Sequence, residues 1–283
     1  MVYMVQKTAA QWHEDDLRTI ENYRPIDDDF MRALFKDDLP LVQTVLRIIT
    51  GIRDLKLISE QTQYDAKRLQ GTRSVSLDVL AEDGTGQKFN LEIQRADKGA
   101  TAQRARYHSS VLDVEFLHAK QEFTDLPITY VIFITERDVR GKGKLLYHFA
   151  WEDTEDGTLL NDGAHILFVN GAYDNKEDTS ELAQLVHDFR CKCADEMYTQ
   201  ALAEKTRYLK ESPEGVSEMC KAIEDMRAEA AAEAAALAKK ESQLGIAMQL
   251  LAMGVLTEEQ IAQATGLTLE EVQELAKEVQ TPV

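Results

Sequence analysis

The clearest pattern of apolar and polar positions along the chain lies between Ser74 and Arg95. Apolar residues occupy every second position in two runs: Val75, Leu77 and Val79, then Phe89, Leu91 and Ile93. Alternation of this kind predicts two β-strands, and Gly84-Thr85-Gly86 supplies residues suited to a tight turn. We therefore predict a β-hairpin. With those three residues as its loop, Asp78 lies opposite Glu92, and Gln94 follows on the same face.

Weaker patterns predict helices and strands on both sides of this hairpin. Residues 1–24 are polar and predict a short helix or an extended arm. The predicted helices begin near Phe30 after the capping run Asp27–Asp29, and then cover Pro40–Ile49, Thr101–Glu122 and Ser180–Tyr198. The predicted strands are Lys56–Tyr64 at an edge, Ile128–Thr135 at the centre, Leu145–Trp151 and His165–Asn170. This order predicts an α/β (α+β) fold, in which helices cover a mixed sheet.

The last third of the chain has a helical pattern and is rich in Ala and Glu. Ser212-Pro213 is a typical helix start. Apolar residues then recur every seven positions: Val216, Ile223, Ala230, Leu237, Leu244 and Leu251. This spacing is that of a coiled-coil seam, but Glu233 and Lys240 interrupt it. We predict a long helix that ends at Gly254, with a regular coiled coil as an alternative.

Two short helices follow Gly254, and each opens with a threonine and acidic residues in its first turn. The pair resembles a helix-turn-helix. The second helix carries four glutamates against a single Lys277, and this charge opposes contact with DNA phosphates: Glu270, Glu271, Glu274 and Glu278. We interpret the pair as a packing or protein-contact module.

Composition restricts the function further. The chain has 283 residues and a net charge of −18, which argues against broad non-specific binding to nucleic acid. The three cysteines are odd in number and follow no secretory signal, so we expect reduced thiols in a cytoplasmic protein. No apolar run approaches the roughly 20 residues that span a bilayer.

The two acidic residues of the hairpin indicate a metal site. Like charges directly opposite one another on neighbouring strands are destabilising, and a divalent cation between Asp78 and Glu92 would remove the repulsion. Mg²⁺ often uses only one or two carboxylates. Asp29, Asp54 and Glu60 could add an acidic ligand, although no spacing singles one out. A zinc site at His187, Cys191 and Cys193 is disfavoured, because Cys193 points away on a helix and no fourth ligand is evident.

The D-x13-E-x-Q pattern resembles the PD-(D/E)XK nuclease superfamily. The surrounding text resembles its recombination-promoting nuclease and transposase branch, in four segments that occur in order: DDDFMRALF at 27–35, SLDVLAEDGTGQKFNLEIQRA at 76–96, RARYHSSVLDVEFL at 104–117 and LPITYVIFIT at 126–135. The resemblance covers roughly residues 25–200. It implies a restriction-endonuclease-like αβββαβ core. Gln94 stands where the superfamily usually has Lys, which matches this branch's own variant.

The resemblance implies a Mg²⁺-dependent DNA endonuclease, with Mn²⁺ as a possible substitute. Asp78 and Glu92 would hold the metal, and Gln94 would complete the catalytic set by orienting the attacking water or a phosphate oxygen. Basic residues cluster around the hairpin, and we expect a nucleic-acid contact set there: Arg73, Arg95, Lys98, Arg104 and Tyr107. A decayed nuclease fold that serves as an interaction module is one alternative. A nuclease for RNA, or for branched or single-stranded DNA, is another.

These predictions divide the chain into four segments. Residues 1–24 form an N-terminal arm, and residues 25–200 form the nuclease-like domain. Residues 201–243 form the Ala/Glu-rich long helix, and residues 244–283 form a small helical module. We expect the C-terminal all-helical extension to join two copies of the chain as a homodimer, because a long helix with one apolar stripe needs a surface to cover it.

Overall fold

The computed structural model describes residues 9–65, 76–94 and 99–280 of the chain. Within these residues it contains nine α-helices and six β-strands. The helices are α1 (Ala9–Asn22), α2 (Asp28–Phe35), α3 (Leu39–Thr50), α4 (Ala102–Phe116), α5 (Glu181–Asp188), α6 (Gln200–Glu211), α7 (Pro213–Met253), α8 (Glu258–Thr265) and α9 (Leu269–Gln280). The strands are β1 (Leu57–Asp65), β2 (Ser76–Asp83), β3 (Lys88–Gln94), β4 (Thr129–Thr135), β5 (Leu146–Phe149) and β6 (Ala164–Asn170).

The six strands form one mixed sheet in the order β1-β2-β3-β4-β6-β5. Strands β1, β2 and β3 are antiparallel, β3, β4 and β6 run parallel, and β5 returns antiparallel to β6. The order α3-β1-β2-β3-α4-β4 is the predicted αβββαβ core, with β1 at an edge and β4 inside. The predicted fold class, including the C-terminal helical extension, is therefore confirmed.

The hairpin of β2 and β3 has the predicted register. Val79 pairs with Leu91 and Leu80 with Asn90, so one further step along the strands brings Asp78 opposite Glu92. The carboxylate of Asp83 fixes the turn, since its Oδ1 accepts hydrogen bonds from the backbone N–H groups and the hydroxyl that follow it: Thr85 N, Thr85 Oγ1 and Gln87 N. A carboxylate that binds the backbone two residues on is a common way to close a turn.

Strand β3 is buried on both faces, although its alternating pattern is also that of a strand with one face in solvent. Phe89, Leu91 and Ile93 lie on one face, and Asn90 and Glu92 lie on the other; all are at most 1% exposed. Helix α4 covers the face with the polar pair. Its contacts form an apolar cluster that surrounds the two polar residues: Leu80, Ala105, Leu112, Val131, Phe133 and Phe168.

Two predicted helices are shorter in the structure. Helix α4 ends at Phe116 rather than Glu122, because the backbone turns extended at Leu117. The helix predicted over Ser180–Tyr198 begins at Glu181 after the cap Ser180, yet it ends at Asp188. The buried Asp188 carboxylate accepts hydrogen bonds from the N–H groups of Tyr198 and Thr199, and this folds the chain back over the end of α5.

The chain divides into two compact units, residues 1–222 and residues 223–283. The sequence predicts a boundary between the long helix and the last module at residue 243, but α7 continues past it. The helix ends at Met253, directly before Gly254, as expected. Within the second unit its last turns contact α8 and α9 through an apolar core: Leu244, Ala247, Leu251, Ile261 and Val272. Thr257 and Thr268 cap α8 and α9. The later part of the seven-residue repeat is therefore buried by the chain's own short helices.

No helix in residues 9–65, 76–94 and 99–280 is both long and apolar enough to cross a bilayer. None of the three cysteines, all of which lie in these ranges, forms a disulfide.

The backbone of Gly171 packs closely against the end of β4, where a side chain would not fit. Its N–H donates to Thr135 O at 2.7 Å. A Cβ on Gly171 would lie 2.2 Å from that oxygen and 3.1 Å from Ile26 Cδ1. Because backbone must move to relieve the overlap, Gly171→Ala should lower the free energy of unfolding by about 2 kcal/mol or more.

The matched control is Gly84→Ala, where the nearest atom to the new Cβ lies 3.9 Å away. It should change the stability by less than about 1 kcal/mol. Urea unfolding followed by tryptophan fluorescence measures both variants, since Trp12 and Trp151 lie in residues 1–222. Equal stabilities of the two variants would contradict the role given to Gly171.

Candidate active site

Two acidic side chains meet in the middle of the hairpin. The backbone N–H of Asp78 donates to Glu92 Oε1 at 3.2 Å, and the backbone N–H of Ile93 donates to Asp78 Oδ2 at 3.1 Å. Glu92 is fully buried, and Asp78 is partly buried. Each carboxylate is thus anchored by the neighbouring strand's backbone, and the predicted pair is side by side.

Helix α4 supplies a positive charge to Glu92. Arg104 Nη2 lies 3.4 Å from Glu92 Oε2, and the Arg104 side chain is 38% exposed. Its guanidinium also lies over the ring of Phe133, 6.0 Å from the centroid. Thr101 caps α4 by accepting from the Arg104 N–H, so the first turn of the helix fixes where this side chain begins. Arg104 therefore contacts the buried carboxylate of Glu92 and is also accessible to solvent.

A buried histidine completes the surroundings of Glu92. His108 Nδ1 lies 3.5 Å from Glu92 Oε1 and 3.1 Å from the side-chain amide of Asn90. Arg104 Nε donates to His108 Nε2 at 3.3 Å. His108 thus contacts Glu92 and Asn90 through Nδ1 and Arg104 through Nε2.

Asn90 and His108 are two residues of the site that the sequence patterns do not predict. Asn90 precedes Glu92 by two positions and so shares its strand face, while His108 follows Arg104 by four positions on one helix face. These two spacings were the only indication of the two residues in the sequence. The indication was weak because neither spacing shows that this face of the strand packs against this face of the helix.

The Asp78 carboxyl titrates far from its ordinary range. Burial, and then the charge of Glu92, raise the pKa of Asp78 to about 7, although the Ile93 N–H works in the opposite direction. Two residues of α2 also act on this pKa: Arg32 lowers it and Asp28 raises it. Asp28 is therefore a further acidic residue near the site, and the sequence analysis had not singled it out.

The other acidic candidates have different neighbours. Asp29 accepts a hydrogen bond from the Tyr23 hydroxyl at 2.9 Å. Burial and the nearby Asp37 carboxylate raise the pKa of Glu60. Neither of these two side chains is placed beside Asp78 by a contact in the described residues.

The predicted nucleic-acid contacts are only partly visible. Arg73, Arg95 and Lys98 lie outside the described residues. Gln94 ends β3 opposite Thr135, and the structure describes its backbone but not its side chain. Tyr107 is 37% exposed on α4. Lys88, a further basic residue of the hairpin, forms an ion pair with Glu82 and lies 4.3 Å from the Phe116 ring centroid, so its charge is used within the fold.

Residues 40–245 match the family model of the PD-(D/E)XK nuclease family transposases. The match covers more than half of the chain, and the chain belongs to this family. It includes the hairpin, α4, the sheet and most of α7, but the segment at residues 27–35 precedes it. The chain matches none of the curated proteins and none of the solved structures with which it was compared.

The arrangement can hold a hard divalent cation. Its oxygen donors are carboxylates, which Mg²⁺ and Mn²⁺ prefer. PD-(D/E)XK nucleases generally use divalent metals. In the absence of a cation, the proton on Asp78 and the guanidinium of Arg104 limit the repulsion between the two carboxylates.

The raised pKa of Asp78 generates a prediction for protein in metal-free buffer. The folded state retains this proton up to about pH 7, whereas the unfolded chain loses it near pH 4. The stabilisation from the protonated carboxyl is complete below pH 4 and is lost as the pH rises through 7. Asp78→Asn, which cannot ionise, should be more stable than wild type at pH 8.5 by about 1 to 4 kcal/mol.

The difference in the free energy of unfolding between wild type and variant isolates Asp78, because the many other carboxylates of the chain titrate in both proteins. Urea unfolding at pH 5.5, 7 and 8.5 measures it. The difference should shrink as the pH falls. A difference that stays constant across this range would show that Asp78 is not buried beside a charged Glu92.

Proposed function

We propose that the protein is a Mg²⁺-dependent endonuclease that hydrolyses phosphodiester bonds in DNA, and that Mn²⁺ can replace Mg²⁺. The observation that carries the proposal is the contact of Asp78 and Glu92 across the hairpin, at the positions that hold metal in the PD-(D/E)XK pattern. Membership of a nuclease family supports the reaction class. The preference for DNA and the identity of the metal are parts of the proposal.

Asp78 and Glu92 hold the cation in this proposal. Bound there, the ion would activate a water molecule and neutralise charge on the scissile phosphate. As a ligand, Asp78 would be ionised and its proton would pass to solvent, and the positive charge of the ion would then limit the repulsion from Glu92. Gln94, two positions after Glu92 on β3, is proposed to orient the water or a phosphate oxygen through its amide.

Arg104 is proposed to supply the positive charge that Gln94 lacks. A lysine at that position would stabilise charge that develops on the phosphate, and an amide cannot do so. The guanidinium of Arg104 approaches Glu92 from α4, and the side chain is 38% exposed, so it can reach both the site and a bound DNA backbone. Arginine also binds phosphate oxygens in a bidentate manner, which adds positioning to charge.

Substrate contacts are proposed for the basic cluster and for Tyr107. In a chain with a net charge of −18, only a local concentration of cations can attract a phosphate backbone. Arg73, Arg95 and Lys98 would extend the charge of Arg104 along the substrate. Single-stranded DNA, branched DNA and RNA present the same phosphates to these residues. The same mechanism could therefore act on them, and a cleavage assay should include all of them as substrates.

A decayed nuclease fold is the second candidate, and one contact favours it. Arg104 already satisfies Glu92 Oε2 without a metal, and such an ion pair could persist in a protein that only binds partners. The two functions differ in metal response and in turnover.

The C-terminal extension is proposed to form a homodimer. Several large apolar side chains of residues 223–283 stay exposed, including Leu237, Ile246, Met248, Met253 and Val255. Exposed apolar groups on this scale often mark a contact surface. Within the same unit, Glu271 of α9 forms an ion pair with Lys240, which supports a packing role for this helix over DNA contact.

The proposed nuclease predicts a metal response and metal-dependent cleavage. Mg²⁺ at a hundred times its dissociation constant should stabilise wild type by about 2.7 kcal/mol. Glu92→Gln and Asp78→Asn should each abolish both this gain and the cleavage of plasmid DNA, as EDTA should for wild type. A stabilised protein that cuts none of the DNA or RNA substrates would favour the interaction module, and no stabilisation at millimolar metal would overturn the metal site.

Arg104→Gln tests the proposed cation separately. It should reduce the rate of cleavage by about 100-fold or more, as removal of one charge-stabilising group does elsewhere. Arg106→Gln is the matched control, because Arg106 lies two positions away on α4 and is exposed. Equal rates in the two variants would remove Arg104 from the proposed mechanism.

The homodimer is tested with two exposed apolar residues of α7. Leu237→Glu combined with Met248→Glu should convert a dimer into a monomer, as measured by light scattering at micromolar concentration. Gln249→Glu introduces charge at a neighbouring exposed position and should leave the mass unchanged. A monomeric wild type, or a double variant that keeps the mass of a dimer, would contradict this surface.

A further inference from the structure

A second group of metal-ligating side chains lies at the end of α5, and the proposed nuclease does not use it. His187, Asp188 and Cys191 each direct one ligand atom into the group, and the three atoms lie within 4.8 Å of one another. From the sequence, a zinc site at His187, Cys191 and Cys193 is disfavoured. In the structure, Cys193 is exposed, and Asp188 takes the third position instead.

The spacing of these atoms matches a tetrahedral zinc site. Zinc binds histidine nitrogen and carboxylate oxygen at about 2.0–2.2 Å and thiolate sulfur at about 2.3 Å, so its ligands lie about 3.3–3.6 Å apart. His187 Nδ1 lies 3.1 Å from Asp188 Oδ1 and 3.5 Å from Cys191 Sγ. The third pair, Asp188 and Cys191, lies within 4.8 Å.

The backbone around the group already orients its carboxylate. Asp188 is fully buried, and its two oxygens accept hydrogen bonds from the N–H groups of Tyr198 and Thr199 at 2.9 and 2.6 Å. Such outer contacts hold a ligating carboxylate in place and still leave lone pairs for a metal. The ring of His187 packs against Tyr198, with 4.9 Å between the centroids.

A cavity gives access to the group from solvent. Its volume is about 350 Å³, and its walls include His187, Arg190, Tyr198 and Gln184. His187 thus lies between the cavity and the buried pair. An ion held by three protein ligands would keep its fourth position for water on the cavity side, as open zinc sites do.

We propose that His187, Asp188 and Cys191 bind one Zn²⁺ ion, with water as the fourth ligand. Sulfur and imidazole together select a borderline-soft cation, whereas the all-oxygen pair at Asp78 and Glu92 selects Mg²⁺ or Mn²⁺. As the ion binds, the Cys191 thiol becomes a thiolate ligand and its proton leaves to solvent. The chain then carries two metal sites of different chemistry.

Cobalt(II) as a spectroscopic probe tests this site on the full-length protein in the presence of excess Mg²⁺. Binding should produce a near-ultraviolet thiolate-to-metal band and visible bands of a four-coordinate ion, at one equivalent per chain, and Zn²⁺ should remove both. Cys191→Ser should abolish the near-ultraviolet band. Cys193→Ser and Cys220→Ser are matched controls and should retain it.

His187→Gln provides a second variant, because this side chain is 41% exposed and its loss should leave the fold intact. It should weaken Zn²⁺ binding by at least about tenfold, as loss of a ligand or of its support does elsewhere. Asp78→Asn should bind cobalt like wild type, which separates this site from the nuclease proposal. No near-ultraviolet band in wild type, or an equal band in Cys191→Ser, would overturn the zinc site.

Discussion

The structure depends on two carboxylates that the hairpin register forces together inside the protein. A buried charge without a partner is costly, and two of like sign on facing strands are more so. Three features around Asp78 and Glu92 reduce this cost: the neighbouring backbone donates N–H groups, α4 adds Arg104 and His108, and Asp78 holds a proton to about pH 7. A site that is unfavourable when empty of cations favours their binding.

Much of the fold could be predicted from the sequence, because its strongest signals are local. Period-two alternation and a glycine-containing turn determine both the strands of the hairpin and the register that brings Asp78 to Glu92. The order of elements then predicted the mixed sheet. The ends of two helices were less predictable, since Asp188 ends α5 through backbone groups that lie ten and eleven residues later in the chain.

The surroundings of the site were harder to predict than its centre. Asn90, His108 and Asp28 come to the carboxylates from a strand face, a helix and the start of another helix, and no spacing links the three. Asp188 was overlooked for a related reason. Asp188 directly follows His187 at the end of a helix, so helical periodicity does not place the two side chains on one face, and the sequence disfavours a zinc site there.

The hairpin and α4 place all the principal side chains of the site within residues 78–108. Contacts between residues that are close in the chain form quickly, whereas the parallel pairs of β3 with β4 and of β4 with β6 require long loops to close first. On this basis we expect the two carboxylates and Arg104 to meet while the sheet is incomplete and water still surrounds them. The later strands would then exclude water from a pair that is already assembled. In this order of folding, the two carboxylates are not desolvated before Arg104 is in place.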